Sequence, residues 1–148
     1  MDLRRLLPQL MQMAKAELPG GVKPRCIVFT PIEFQTFDLD FASEDAAVRS
    51  IERAKAYCTT NNGIAIVIMY ESYYVERSSY VVDSLDLIGT GIFRPEHIHI
   101  LGSTPIGTLL LEQHFYRSET GISYPQEAKG FPNVESPLLE NLWQFKEA

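Results

Sequence analysis

Only two cysteines, Cys26 and Cys58, occur in 148 residues. They fall on separate expected elements and lack C-x-x-C spacing, so no zinc site is expected and both read as reduced core side chains. No apolar run approaches the roughly 20 residues a bilayer-spanning helix needs. The basic pair Arg4-Arg5 is not followed by the apolar core and small-residue cleavage site of a secretory leader. A cytoplasmic protein without membrane contact is therefore expected. Lys and Arg are scattered singly in a chain of net charge −6 and pI near 5.0, which argues against a phosphate-tracking patch and direct nucleic-acid binding. The acids are too sparse for nucleic-acid mimicry, since Asp38, Asp40, Glu44 and Asp45 are their nearest approach to a run. No GxSxG, Walker loop, GxGxxG or HExxH is present, which counts against the common enzyme classes, and no cofactor is expected.

What is present suits one α+β domain over residues 1–148, with a mixed, mostly antiparallel sheet of five or six strands and helices packed on one face. The organising stretch is 63–75, the only uninterrupted apolar run, β-branched and aromatic as expected for a central strand covered on both faces. Before it, Leu3, Leu6, Leu7, Leu10, Ala14 and Leu18 recur at helical spacing behind Asp2, with Pro8 as a flaw that should kink or shorten the helix. Strands are expected over 25–30 and 33–41, joined as a hairpin, with Phe37, Leu39 and Phe41 on the core side. Ser43 caps a second helix whose inner stripe is Ala47, Ile51, Ala54 and Cys58. That helix should complete a right-handed crossover that lays the central strand parallel against one of the earlier strands.

After the central strand, residues 77–94 are irregular yet too apolar for a solvated linker, which suggests a packed element or a partner surface. Strands over 96–101 and 106–117, joined through Gly102-Ser103-Thr104-Pro105, and a third at Ile122-Ser123-Tyr124 would make a meander. Loop is expected over 125–135. A last helix over 136–147 starts at Ser136-Pro137 and presents Leu138, Leu139, Leu142 and Trp143, to pack on its own sheet or on another subunit.

Three histidines come first among residues that could carry chemistry. His97 and His99 share one face of a strand, the weak metal candidates of the chain. Gly91 followed by His97-x-His99 begins like the cupin motif, but no carboxylate or further histidine follows at the required offsets. With a turn at 102–105, His97 would sit opposite Leu110 and leave His114 about 13 Å away, so no metal site is expected. Glu71, at the end of the apolar run, could stand at the mouth of a cleft with Tyr70, Tyr73 and Tyr74 around it. Glu112 and His114 share a strand face and could pair.

In layout the chain resembles small uncharacterised bacterial and phage proteins: helix, hairpin, helix, then a central strand ending in Glu and an aromatic, here Ile64 to Met69 followed by Glu71-Ser72-Tyr73. That likeness carries no activity. Leu101-Gly102-Ser103-Thr104-Pro105-Ile106-Gly107 with Leu109-Leu110 is similar to the segment that chorismate lyases carry beside their ligand pocket. This resemblance implies an enzyme, although the ligand-binding arginine of that family and its last strand with the catalytic glutamate have no counterpart here. The expected function is a non-enzymatic binding or regulatory protein, phage or mobile-element encoded. It would act as a homodimer through residues 77–94 or the C-terminal helix, or through a protein partner. The alternative is a small-molecule binder or chorismate-lyase-like enzyme with its pocket near Glu71.

Overall fold

The computed structural model describes residues 1–72 and 96–143. The expectations for Tyr73, Tyr74 and residues 77–94 therefore lie outside the described residues. The fold is α+β. Helix α1 (Leu3–Glu17) is followed by a 3-10 turn (Leu18–Gly20), β1 (Arg25–Phe29), β2 (Phe34–Asp38), α2 (Glu44–Thr60) and β3 (Ala65–Glu71). Next come β4 (His97–Thr104), β5 (Gly107–His114), β6 (Tyr116–Ser118), β7 (Gly121–Ser123), β8 (Lys129–Pro132) and a 3-10 turn (Pro137–Leu139). Six strands make one sheet in the order β2-β1-β3-β4-β5-β8, each adjacent pair antiparallel, while β6 and β7 form a separate ribbon.

Local chemistry explains most elements. Asp2 caps α1 by accepting from the Arg4 N–H, and Ser43 caps α2 by accepting from the Ala46 N–H. The expected stripes of both helices are buried, except that Leu6 is half-buried. The first helix runs unbroken through Pro8, whose missing N–H lies on an exposed side. Asn62 adopts φ 57°, and Gly63 donates to the Cys58 carbonyl at 2.8 Å. A Cβ at Gly63 would come within 2.3 Å of Cys58 Sγ, so the turn into β3 demands glycine.

Strand β3 is buried along its whole length and separates two cores. Ile66, Ile68 and Tyr70 pack with α2, Leu39 and Phe41, while Val67 and Met69 pack with α1. The helices thus lie on opposite faces of the sheet, a correction to the expectation of a single face. An apolar run with no polar side leaves two faces to cover, and each helix takes one. The crossover is corrected as well. The immediate neighbour of β3 is β1, antiparallel to it, and the parallel strand is β2, one position further out.

The C-terminal half departs from expectation in register. β4 continues to Thr104, and the hairpin turns at Pro105-Ile106, where Thr104 Oγ1 accepts from the Ile106 N–H and donates to the Gly107 carbonyl. Gly102 is a strand residue rather than a turn residue. It admits α1, because a Cβ there would lie 2.7 Å from Leu3 Cδ2. The third meander strand is β8, inside the expected loop, while residues 121–123 pair with β6. In place of the start of a last helix, Pro137–Leu139 form a 3-10 turn, with Leu138, Leu139 and Leu142 buried against the chain's own sheet.

Candidate functional site

Strand alternation and register bring the polar residues to one end of the sheet and sort them onto its two faces. On the α2 face, Tyr70, His99 and Glu112 lie opposite one another on β3, β4 and β5. His97 pairs with His114 rather than with Leu110, so the expected 13 Å separation is overturned by a four-residue shift in register. Their rings stack 4.6 Å apart, the His99 ring lies 6.0 Å from His97, and Tyr116 meets His114 edge-on at 4.5 Å. Stacked imidazoles set their nitrogens side by side instead of converging them. Among the described residues no group of three or more His, Cys, Asp or Glu is arranged to hold a metal ion.

His99 is the centre of this cluster. It is 1% exposed, stacks on Tyr70 at 5.1 Å, and places Nδ1 3.3 Å from Glu112 Oε2 and Nε2 3.2 Å from Ser72 Oγ. Ser72 Oγ also donates to the His97 carbonyl at 3.0 Å. Glu112 and His114 share a face as expected, but the imidazole that Glu112 meets is His99. Tyr70 is held edge-on to Phe41 at 5.4 Å, and its hydroxyl has no hydrogen-bond partner among the described residues. Burial, and secondarily the Glu112 charge, pushes the Tyr70 phenol well above its ordinary range. Sequence reasoning missed Ser72. Its only signal was its place two residues after Tyr70, which gave it the same face, and its partners became visible only with the register.

Glu71 points to the opposite face. It is 1% exposed, and Arg117 donates to it twice, Nη1 to Oε2 at 2.9 Å and Nη2 to Oε1 at 3.1 Å. The Val22 N–H adds a third bond at 2.9 Å, and Arg117 Nη2 reaches on to the Leu18 carbonyl at 2.7 Å. A carboxylate so saturated with fixed donors ties the end of β3 to the turn after α1 and to β6. That is a structural task.

Two clefts lie toward the other end of the sheet. The segment similar to chorismate lyases forms the β4–β5 hairpin. A cleft of about 740 Å³ opens between it and the C-terminal turn, where Trp143 Nε1 donates to Ser103 Oγ at 2.9 Å. A larger one opens between the hairpin and α1. In comparisons with protein-family models, curated proteins and solved structures, nothing matches the chain.

Proposed function

We propose that this chain is a non-enzymatic binding protein that works as a homodimer, its two sheets joined edge to edge through β2. The observation that carries this is the edge of β2, which is open among the described residues. The Thr30 N–H donates to the Glu33 carbonyl, and the Leu39 N–H donates to the Pro24 carbonyl. Antiparallel alternation between those two bonds turns the backbone groups of Gln35 and Phe37 toward β1 and those of Phe34, Thr36 and Asp38 outward. Beside them Phe34 is 64% exposed and Ile32 91%. Such a row is a template for strand addition.

A second copy fits that row. With a twofold axis at Thr36, Phe34 falls opposite the partner's Asp38 and Thr36 opposite the partner's Thr36, so all three outward residues on each side exchange both bonds. The two Asp38 carboxylates then stand about 14 Å apart along the strands, beyond the Debye length of about 10 Å at 0.1 M salt. The interface is small, and an affinity of roughly 10–100 μM fits its class. A cytoplasmic setting is part of this reading, as is a phage or mobile-element origin, which rests on the shared layout. The test adds a surface cysteine to a chain whose two native ones are both buried. In T36C the new thiols would sit on α-carbons about 5.5 Å apart, within disulfide reach, so mild oxidation yields a covalent dimer. F131C on the β8 edge should stay monomeric. Equal yields from both variants would contradict the reading.

A second reading, as a small-molecule enzyme, is favoured by the Ser72–His99–Glu112 chain, which sets a hydroxyl, an imidazole and a carboxylate in sequence. In the structure the Ser72 proton goes to a backbone carbonyl, which does not activate the oxygen. Labelling of Ser72 by a fluorophosphonate, abolished in His99→Ala, would support this reading over the first.

A further inference from the structure

Along the side of α1 that faces β5 runs an open groove in two connected parts. The wider part, about 1020 Å³, lies between the start of α1 and β5 and β8. The narrower, about 550 Å³, lies between the end of α1, β5 and residues 124–128. Both are lined by Pro8 and Leu111, so they meet. The helix packs on β4 and reaches β5, but among the described residues it leaves the sheet around Gly107 and Gly130 open. A Cβ added at Gly107 would meet nothing within 4 Å, and one at Gly130 would touch only Leu109, at 3.6 Å. Leu109 and Leu111 on the floor are half-buried. The wider part is at the upper end of the range of small-molecule sites, about 300–1,000 Å³.

An independent observation lies in the narrower part. Gln113 is 1% exposed, and its Nε2 donates to the carbonyls of His114 at 2.9 Å and Gln126 at 2.8 Å. With both amide hydrogens used, the orientation of the amide is fixed, and Oε1 is left as a buried acceptor without a partner among the described residues. Each mouth carries one charge of each sign, Asp2 and Arg4 at the wider and Lys15 and Glu127 at the narrower, and the Lys15 ammonium already lies over the Tyr124 ring at 4.6 Å. Neither mouth selects an ion.

We propose that this groove binds a neutral acyl amphiphile, its aliphatic chain over Leu109, Leu111, Gly107 and Gly130 and a head-group hydroxyl or amide N–H donating to Gln113 Oε1. The chain supplies apolar burial and the donor satisfies the orphaned carbonyl, so a ligand with only one of the two fits less well. The experiment compares 1-monodecanoylglycerol with methyl decanoate, of equal chain length but without a donor, by backbone amide chemical shifts on the full chain below micellar concentrations. The glycerol ester should bind about tenfold more tightly, the worth of one hydrogen bond to a buried acceptor. Gln113→Met should erase that difference. Gly130→Leu should abolish binding of both probes by filling the floor; Gly107→Leu serves the same purpose should the first variant fail to fold. Equal affinity of the two probes in the parent protein, no shift with either, or undiminished binding in the filled variants would overturn the proposal.

Discussion

Glu71 and Glu112 are both buried carboxylates at the same end of one sheet, yet their surroundings differ in kind. Glu71, on the α1 face, is held by a guanidinium that is always charged and by a backbone N–H. Glu112, on the α2 face, meets an imidazole, His99, which is not a permanent cation and also touches Ser72. A carboxylate held by a permanently charged partner is a clamp, and one whose partner is an imidazole is a conditional pair. The sequence reading favoured Glu71 as the chemical residue because it ends the apolar run, but its saturation makes it part of the scaffold.

The contrast can be broken most severely at Arg117. Arg117→Met leaves Glu71 buried without its main partner and should cost about 3–5 kcal/mol in urea unfolding, the range for breaking a buried pair from one side. A loss under about 1 kcal/mol would mean that Glu71 finds solvent or another donor. Glu112→Gln should cost less, about 1–2 kcal/mol, because its contact with His99 is a longer one, 3.3 Å, and His99 keeps Ser72. If the two losses came out equal, the distinction between clamp and conditional pair would fail.

The smallest effect is expected in alkali, and it belongs to the α2 face. Burial raises the Cys26 thiol above its ordinary 9.0, with Cys58 adding to the effect, and raises the Tyr70 phenol above its ordinary 10.0. A folded-state pKa above the unfolded one means stability that is complete below the unfolded value and lost as pH climbs past it. Urea midpoints should therefore hold up to about pH 9 and then fall, by at most about 1.4 kcal/mol per pH unit for each group. Cys26→Ala should flatten the first part of that slope, and an unchanged slope would assign the loss elsewhere.

Much of the fold was legible because it is local. The caps at Asp2 and Ser43, the helical stripes, the β1–β2 hairpin and β3 all follow from periodicity and turn chemistry within short windows. The placement of the helices was also legible in principle, since a strand apolar on both sides requires cover on both faces, and a single helical layer ran against that. β8 was hidden because Gly130 and Pro132 lower strand propensity, and it forms where proline is tolerated, at a sheet edge. The site was hidden for a different reason. Whether His97 faces Leu110 or His114 depends on where one hairpin turns, and Thr104-Pro105-Ile106-Gly107 competes with the glycine at 102, which α1 claims for packing.

Edge-to-edge pairing through β2 carries the functional account, and sedimentation equilibrium of the parent protein and Thr36→Pro, from about 1 to 300 μM, tests it most directly. Thr36 turns its N–H away from β1, so proline there removes an edge donor with little cost to the sheet; Phe34→Lys, which places a charge on the same edge, is the companion variant. The account predicts a reversible dimer for the parent and a monomer at every concentration for both variants. A monomeric parent across the whole range, or variants that associate as the parent does, would contradict it.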